Sequence, residues 1–199
     1  LYSTIYLLFG IKPWLVIFVQ LLLNVISIIL VYLLGNMIFN KQVATISASL
    51  YAIDPHTILF SNKLLTETLF VTLFILSVLL FAYGLKHKRI FLYILSAFVI
   101  GIATLVRPTT YYFPLVIAII IAIYPGLRWV FRSKAIVGFI FIFFITIFPW
   151  LFRNYSAYNH FSLTSQSGSF LLFEQIAYTE SYSTGKSVDH VREEFSRKA

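Results

Sequence analysis

Long apolar runs, cut by short polar clusters, make up most of this chain. They predict helices at Trp14–Phe39, Val43–Phe60, Leu64–Leu85, Ile90–Val106, Tyr111–Leu127 and Ala135–Phe152. Each approaches the roughly 20 residues that a helix needs to cross the hydrocarbon layer of a membrane. The second is the most polar, holding Thr45, Ser47, Ser49 and Asp54, and is expected to be tilted or buried among other helices. A closed β-barrel would alternate apolar and polar residues, and stretches such as FIFIFFITIF, residues 139–148, do not. The expected fold is therefore an all-α integral membrane bundle of about six spans.

Composition agrees with the pattern. The 199 residues are 60% hydrophobic and only 11% charged, against about 25% charged in an ordinary soluble domain. After Phe152 the sequence turns polar, rich in Ser and Tyr, so two parts are expected: a membrane core over 1–152 and an external segment over 153–199. The chain opens at Leu1 without a charged leader and closes inside a charged stretch, SVDHVREEFSRKA. We therefore expect a fragment in which the external segment begins a larger soluble part. There are no cysteines, so disulfides and thiolate metal sites are excluded.

A net charge of +8 would suggest nucleic acid in a soluble protein. Here the charge is a topology signal. Lys41 follows the first span, Lys86, Lys88 and Arg89 the third, and Arg128, Arg132 and Lys134 the fifth, so these alternate loops are expected to be cytoplasmic. The opposite face receives Lys12, Asp54, Lys63, Glu67, Arg107 and Arg153, a chemically mixed set.

Glu67 and Arg107 each have an ordinary explanation. An acid in the first turn of a helix and a base at the end of one are both favoured by the helix dipole, and Lys63 lies one turn before Glu67. Their common membrane face, with Tyr111, Tyr112 and Arg153 nearby in the sequence pattern, leaves a shared polar site as the other reading. Asp54 before Pro55 reads as a turn residue. His56, His87, His160 and His190 are scattered without metal-ligand spacing, and Gln20 with Asn24 reads as a helix-to-helix contact.

The opening run through residue 70, together with LVRPTTYYFP and FPWLFRNYSAYNHFSLTSQSG, resembles the membrane core of the protein O-mannosyltransferase and aminoarabinose transferase superfamily, of the C-type glycosyltransferase fold. The likeness rests on the order and spacing of these pieces and reaches to about Gly168. It implies a multi-pass plasma-membrane enzyme whose active face is extracytoplasmic. Such an enzyme moves a sugar from a polyprenyl-phosphate carrier to a protein, lipid or glycan acceptor. No nucleotide-binding loop and no nucleic-acid partner are implied, and the only donor needed is lipid-linked; metal dependence stays open.

The resemblance also places the family's usual catalytic base in a first external loop, which we expect to lie upstream of this fragment together with the first span. Glu67 matches an acidic position facing the site and is expected to position the acceptor or support the base. Arg107 is the expected phosphate ligand, with Lys63 and Arg153 as further candidates and Tyr111 lining the donor pocket. A secondary transporter using Glu67 for proton coupling, or a non-catalytic scaffold, are the alternatives. The transporter would be expected to carry a repeat and broken helices, and neither is visible.

Overall fold

In a computed structural model of the chain, the residues described are 6–7, 10–55, 57, 66–159, 161–164, 176–185 and 187–198. Every regular element among them is helical. The elements are α1 (Pro13–Ile38), α2 (Lys41–Ala52), α3 (Glu67–His87), α4 (Ile90–Val106), a 3-10 turn (Pro108–Thr110), α5 (Phe113–Ile123), α6 (Trp129–Tyr158), α7 (Ala177–Thr184) and α8 (Val188–Lys198). The chain divides into two compact units, Leu1–Trp150 and Leu151–Ala199.

Three helices, α1, α3 and α6, are long and apolar enough to cross a membrane; α4, of 17 residues, and the stretch Pro108–Ile123 are apolar but shorter. Together with the all-helical architecture this makes the chain an integral membrane protein. Among the described residues the six expected segments differ in how much of each is helical. The second, expected over Val43–Phe60, is a helix of 12 residues among the described residues, and residues 58–60 lie outside them. Local chemistry stops it: Asp54 precedes a proline, which disfavours helical backbone, and its Oδ2 accepts hydrogen bonds from the Thr57 amide at 2.8 Å and the Thr57 hydroxyl at 2.6 Å. Asp54 thus has the turn role expected of it. The fifth expected span, Tyr111–Leu127, is trimmed to Phe113–Ile123, and the sixth grows at both ends to Trp129–Tyr158.

The core of the first unit is made where helices meet, and lipid-type side chains cover the rest. α1 leaves Trp14, Phe18, Leu22, Val25 and Ile29 exposed while burying Val16, Gln20, Ser27 and Leu30. In a membrane this outward apolar face is solvated by lipid, so helix association rests on close packing and a few polar contacts. Both are present. Ser27 and Thr72 bond at 2.8 Å between α1 and α3, and Ser77 and Ser96 exchange hydroxyl-to-carbonyl bonds between α3 and α4. Gly101 lets α4 and α6 touch, since a Cβ there would fall 2.8 Å from Thr146 Cβ.

α3 and α4 form an antiparallel hairpin closed by Lys88 and Arg89, with Lys88 in the left-handed conformation at φ 53°. The basic residues Lys86, Lys88 and Arg89 therefore gather at its closed end. Its open end carries Glu67 at the start of α3 and Arg107 just past the end of α4.

In the second unit, Asn154 Nδ2 donates to the Ser162 carbonyl at 2.7 Å, Tyr155 packs on Phe161, and Arg192 sits between Asp189 and the Tyr178 ring.

Candidate functional site

Arg107 is placed by the way α4 ends. Pro108 excludes helical backbone from the residue before it, so Arg107 turns extended at φ −143° and ψ 122°. Its amide still donates to the Ala103 carbonyl at 2.9 Å, which ties the break to the last helical turn. The 3-10 turn that follows is pinned back onto α4 by a bond between the buried hydroxyls of Thr104 and Thr110, 2.8 Å apart. The Thr104 hydroxyl also bonds the Ile100 carbonyl at 2.8 Å. Arg107 thus projects from a short reversal anchored on both sides.

Glu67 opens α3, where its charge suits the positive end of the helix dipole. The two side chains meet: Arg107 Nη1 donates to Glu67 Oε1 at 2.7 Å. Residues forty positions apart are joined at one end of the hairpin. The pair is partly open, with side-chain exposures of 40% for Arg107 and 31% for Glu67. An ion pair of this openness contributes at most about 1 kcal/mol to stability. The second carboxylate oxygen, Oε2, is buried and has no hydrogen-bond partner among the described residues.

An aromatic wall continues the site down α3. Phe70 lies one helical turn after Glu67, and the Arg107 guanidinium carbon stands 6.0 Å from the centre of its ring. Phe70 packs on Phe74 at 6.1 Å, and Phe74 meets Phe113 of α5 edge-on at 5.2 Å. The result is a cation and a carboxylate beside an apolar surface made by two helices. Such a surface can receive a molecule with an anionic head and a greasy tail, the guanidinium facing the anion.

The sequence-based candidates fare unevenly. Glu67 and Arg107 are brought together directly, which the helix-dipole readings taken one residue at a time did not predict. Tyr111 follows the 3-10 turn, with its ring edge-on to Tyr112 at 5.2 Å. Lys63, expected as the neighbour of Glu67, lies outside the described residues, as do His56 and His160. Arg153 belongs to the second unit, where its Nη1 donates to Asn154 Oδ1 at 3.2 Å. His87 stacks on Tyr83. Among the described residues no group of three His, Asp or Glu side chains is placed to hold a metal ion. Phe70 and the Thr104–Thr110 bond were missed in the sequence. The three-residue spacing of Glu67 and Phe70, which puts both on one helix face, was the available signal.

A model of the family described as dolichyl-phosphate-mannose-protein mannosyltransferase matches residues 1–152. No curated protein and no solved structure matches the chain.

Proposed function

The chain belongs to the dolichyl-phosphate-mannose-protein mannosyltransferase family, and from that premise we propose that it transfers a sugar from a polyprenyl-phosphate carrier to an acceptor on the outer face of the membrane. Membership makes it a membrane glycosyltransferase of the C-type fold that uses a lipid-linked sugar. The direction of transfer, the plasma membrane and the roles below are our reading, and so is the external placement of residues 153–199.

In this reading Arg107 binds the carrier phosphate. As the bond between the anomeric carbon and the phosphate oxygen breaks, that oxygen gains negative charge, and a guanidinium already in place stabilises it. Glu67 orients Arg107 through one lone pair of Oε1 and offers the other, on the partly exposed edge of the carboxylate, to the acceptor hydroxyl. This hydrogen bond sets the hydroxyl's direction of attack at the anomeric carbon while a base takes its proton. Arg153, Lys63 and Tyr111 are secondary candidates for the phosphate and the donor pocket. Phe74 and Phe113, packed edge-on at 5.2 Å, give the carrier's lipid a surface that water does not compete for.

The observation that carries the reading is the 2.7 Å pair at the open end of the α3–α4 hairpin, opposite the end where Lys86, Lys88 and Arg89 collect. By the positive-inside rule the basic end is cytoplasmic, which supports an external site.

The test is transfer by the full-length protein reconstituted in vesicles with polyprenyl-phosphate sugars. The proposal expects sugar moved from carrier to acceptor and lost when Arg107 is changed to Ala. Sugar accumulating inside vesicles with the carrier bond intact would instead identify a transporter.

A further inference from the structure

The guanidinium of Arg107 has two edges able to form paired hydrogen bonds, and Glu67 occupies one terminus of it. Only Nη1 is engaged among the described residues. The side-on edge, formed by Nε–H and the Nη2–H parallel to it, is left for a ligand. Glu67 fixes the group in its plane. A second contact is needed to stop the plane from rolling about the side chain's long axis, and the Phe70 ring, 6.0 Å from the guanidinium carbon, is the group in that place. Phe70 stands on the same face of α3 as Glu67, so one rigid helix holds both contacts.

We propose that Phe70 is a positioning residue for phosphate recognition: with Glu67 it clamps Arg107 so that the Nε–Nη2 edge faces the carrier phosphate. The inference rests on the reading of Arg107 given above. It assigns Phe70 a role through the face of its ring, which attracts a cation by its quadrupole, rather than through bulk. Two parallel hydrogen bonds to phosphate require the guanidinium plane to be set before the ligand arrives, and this is where a flexible arginine would otherwise lose affinity.

The test compares Phe70→Tyr, Phe70→Leu and Phe70→Ala in the full-length protein, each also combined with Arg107→Ala. The probe is a polyprenyl-phosphate sugar donor. Phe70→Leu keeps an apolar side chain and removes the ring, so it is expected to raise the donor KM about fivefold, as loss of a partly desolvated cation–π contact implies, with kcat changed less. Phe70→Tyr keeps the ring face and is expected to restore the KM. In the Arg107→Ala background the Phe70 substitutions should add nothing further. Thermal melting of each variant separates a folding defect from a binding one.

Phe70→Leu with a wild-type KM, or an equal penalty with and without Arg107, would overturn the clamp. If Arg107→Ala itself leaves the donor KM unchanged, the reading of Arg107 as phosphate ligand falls, whatever the Phe70 variants do.

Discussion

At the scale of single residues, the structure joins a carboxylate and a guanidinium, and the proposed function gives them different duties. Glu67→Gln keeps an oxygen that can accept from Arg107 Nη1 but removes the charge, so carrier binding should change little. Turnover should fall by about 10-fold or more, in the range that positioned polar groups contribute. Steady-state kinetics checks this, and unchanged kcat in a well-folded Glu67→Gln protein would reduce Glu67 to a helix-end charge. Thr104 acts at one remove. Its hydroxyl donates to the Ile100 carbonyl and so accepts from Thr110, pinning the turn carrying Arg107; Thr104→Val, of the same shape, should loosen that turn and leave the buried Thr110 hydroxyl without its acceptor. We expect a rise of several-fold in donor KM with the protein still folded, since one buried hydrogen bond contributes about 1 kcal/mol. A KM equal to wild type would show that Pro108 alone sets the turn.

At the scale of elements, much was legible in the sequence because the membrane makes the rules simple. The helices over Pro13–Ile38 and Ile90–Val106 lie within one residue of the runs that predicted them. Where the reading went wrong, a local competitor intervened. Asp54 and Pro55 end α2 although apolar residues continue, while α6 runs beyond its apolar stretch into polar residues that are good enough helix formers. It even tolerates Pro149 in its interior. The polar contacts between helices could not be read from spacing, since Ser77 meets Ser96 through a pairing that only the folded hairpin defines. Close approach is equally hidden. Gly101 looks ordinary in sequence, yet its missing Cβ is what admits Thr146. Gly101→Val should therefore force α4 and α6 apart and destabilise the protein by about 1–3 kcal/mol. A lower melting temperature in detergent, partly recovered by Thr146→Gly, is the expected result; unchanged melting would mean the helices slide apart freely.

At the scale of the whole molecule, the charge asymmetry and the hairpin geometry agree on one arrangement. Basic residues gather at the closed end of α3–α4, and the acid–base pair sits at the open end. Single cysteines introduced near Lys88 and Ser165 of this cysteine-free chain should label from opposite sides, with position 165 reached by an impermeant reagent from outside. Outside labelling at position 88 instead would invert the topology and move the site to the cytoplasm. The sequence alone indicated that Glu67 and Arg107 share a face. It could not indicate that they touch, because the contact depends on the turn at Pro108 and on the length match of two antiparallel helices.

The central claim is that Arg107 holds the carrier phosphate, and equilibrium binding of polyprenyl phosphate to the purified protein tests it most directly. A guanidinium making two parallel bonds to phosphate cannot be replaced by a single ammonium. The account predicts that Arg107→Ala weakens binding by about 10-fold or more, as loss of a charged hydrogen bond of about 1.5–3 kcal/mol implies. Arg107→Lys should be intermediate, and Glu67→Gln close to wild type. Wild-type affinity in Arg107→Ala would contradict it and leave Arg107 as an anchor at the end of its helix.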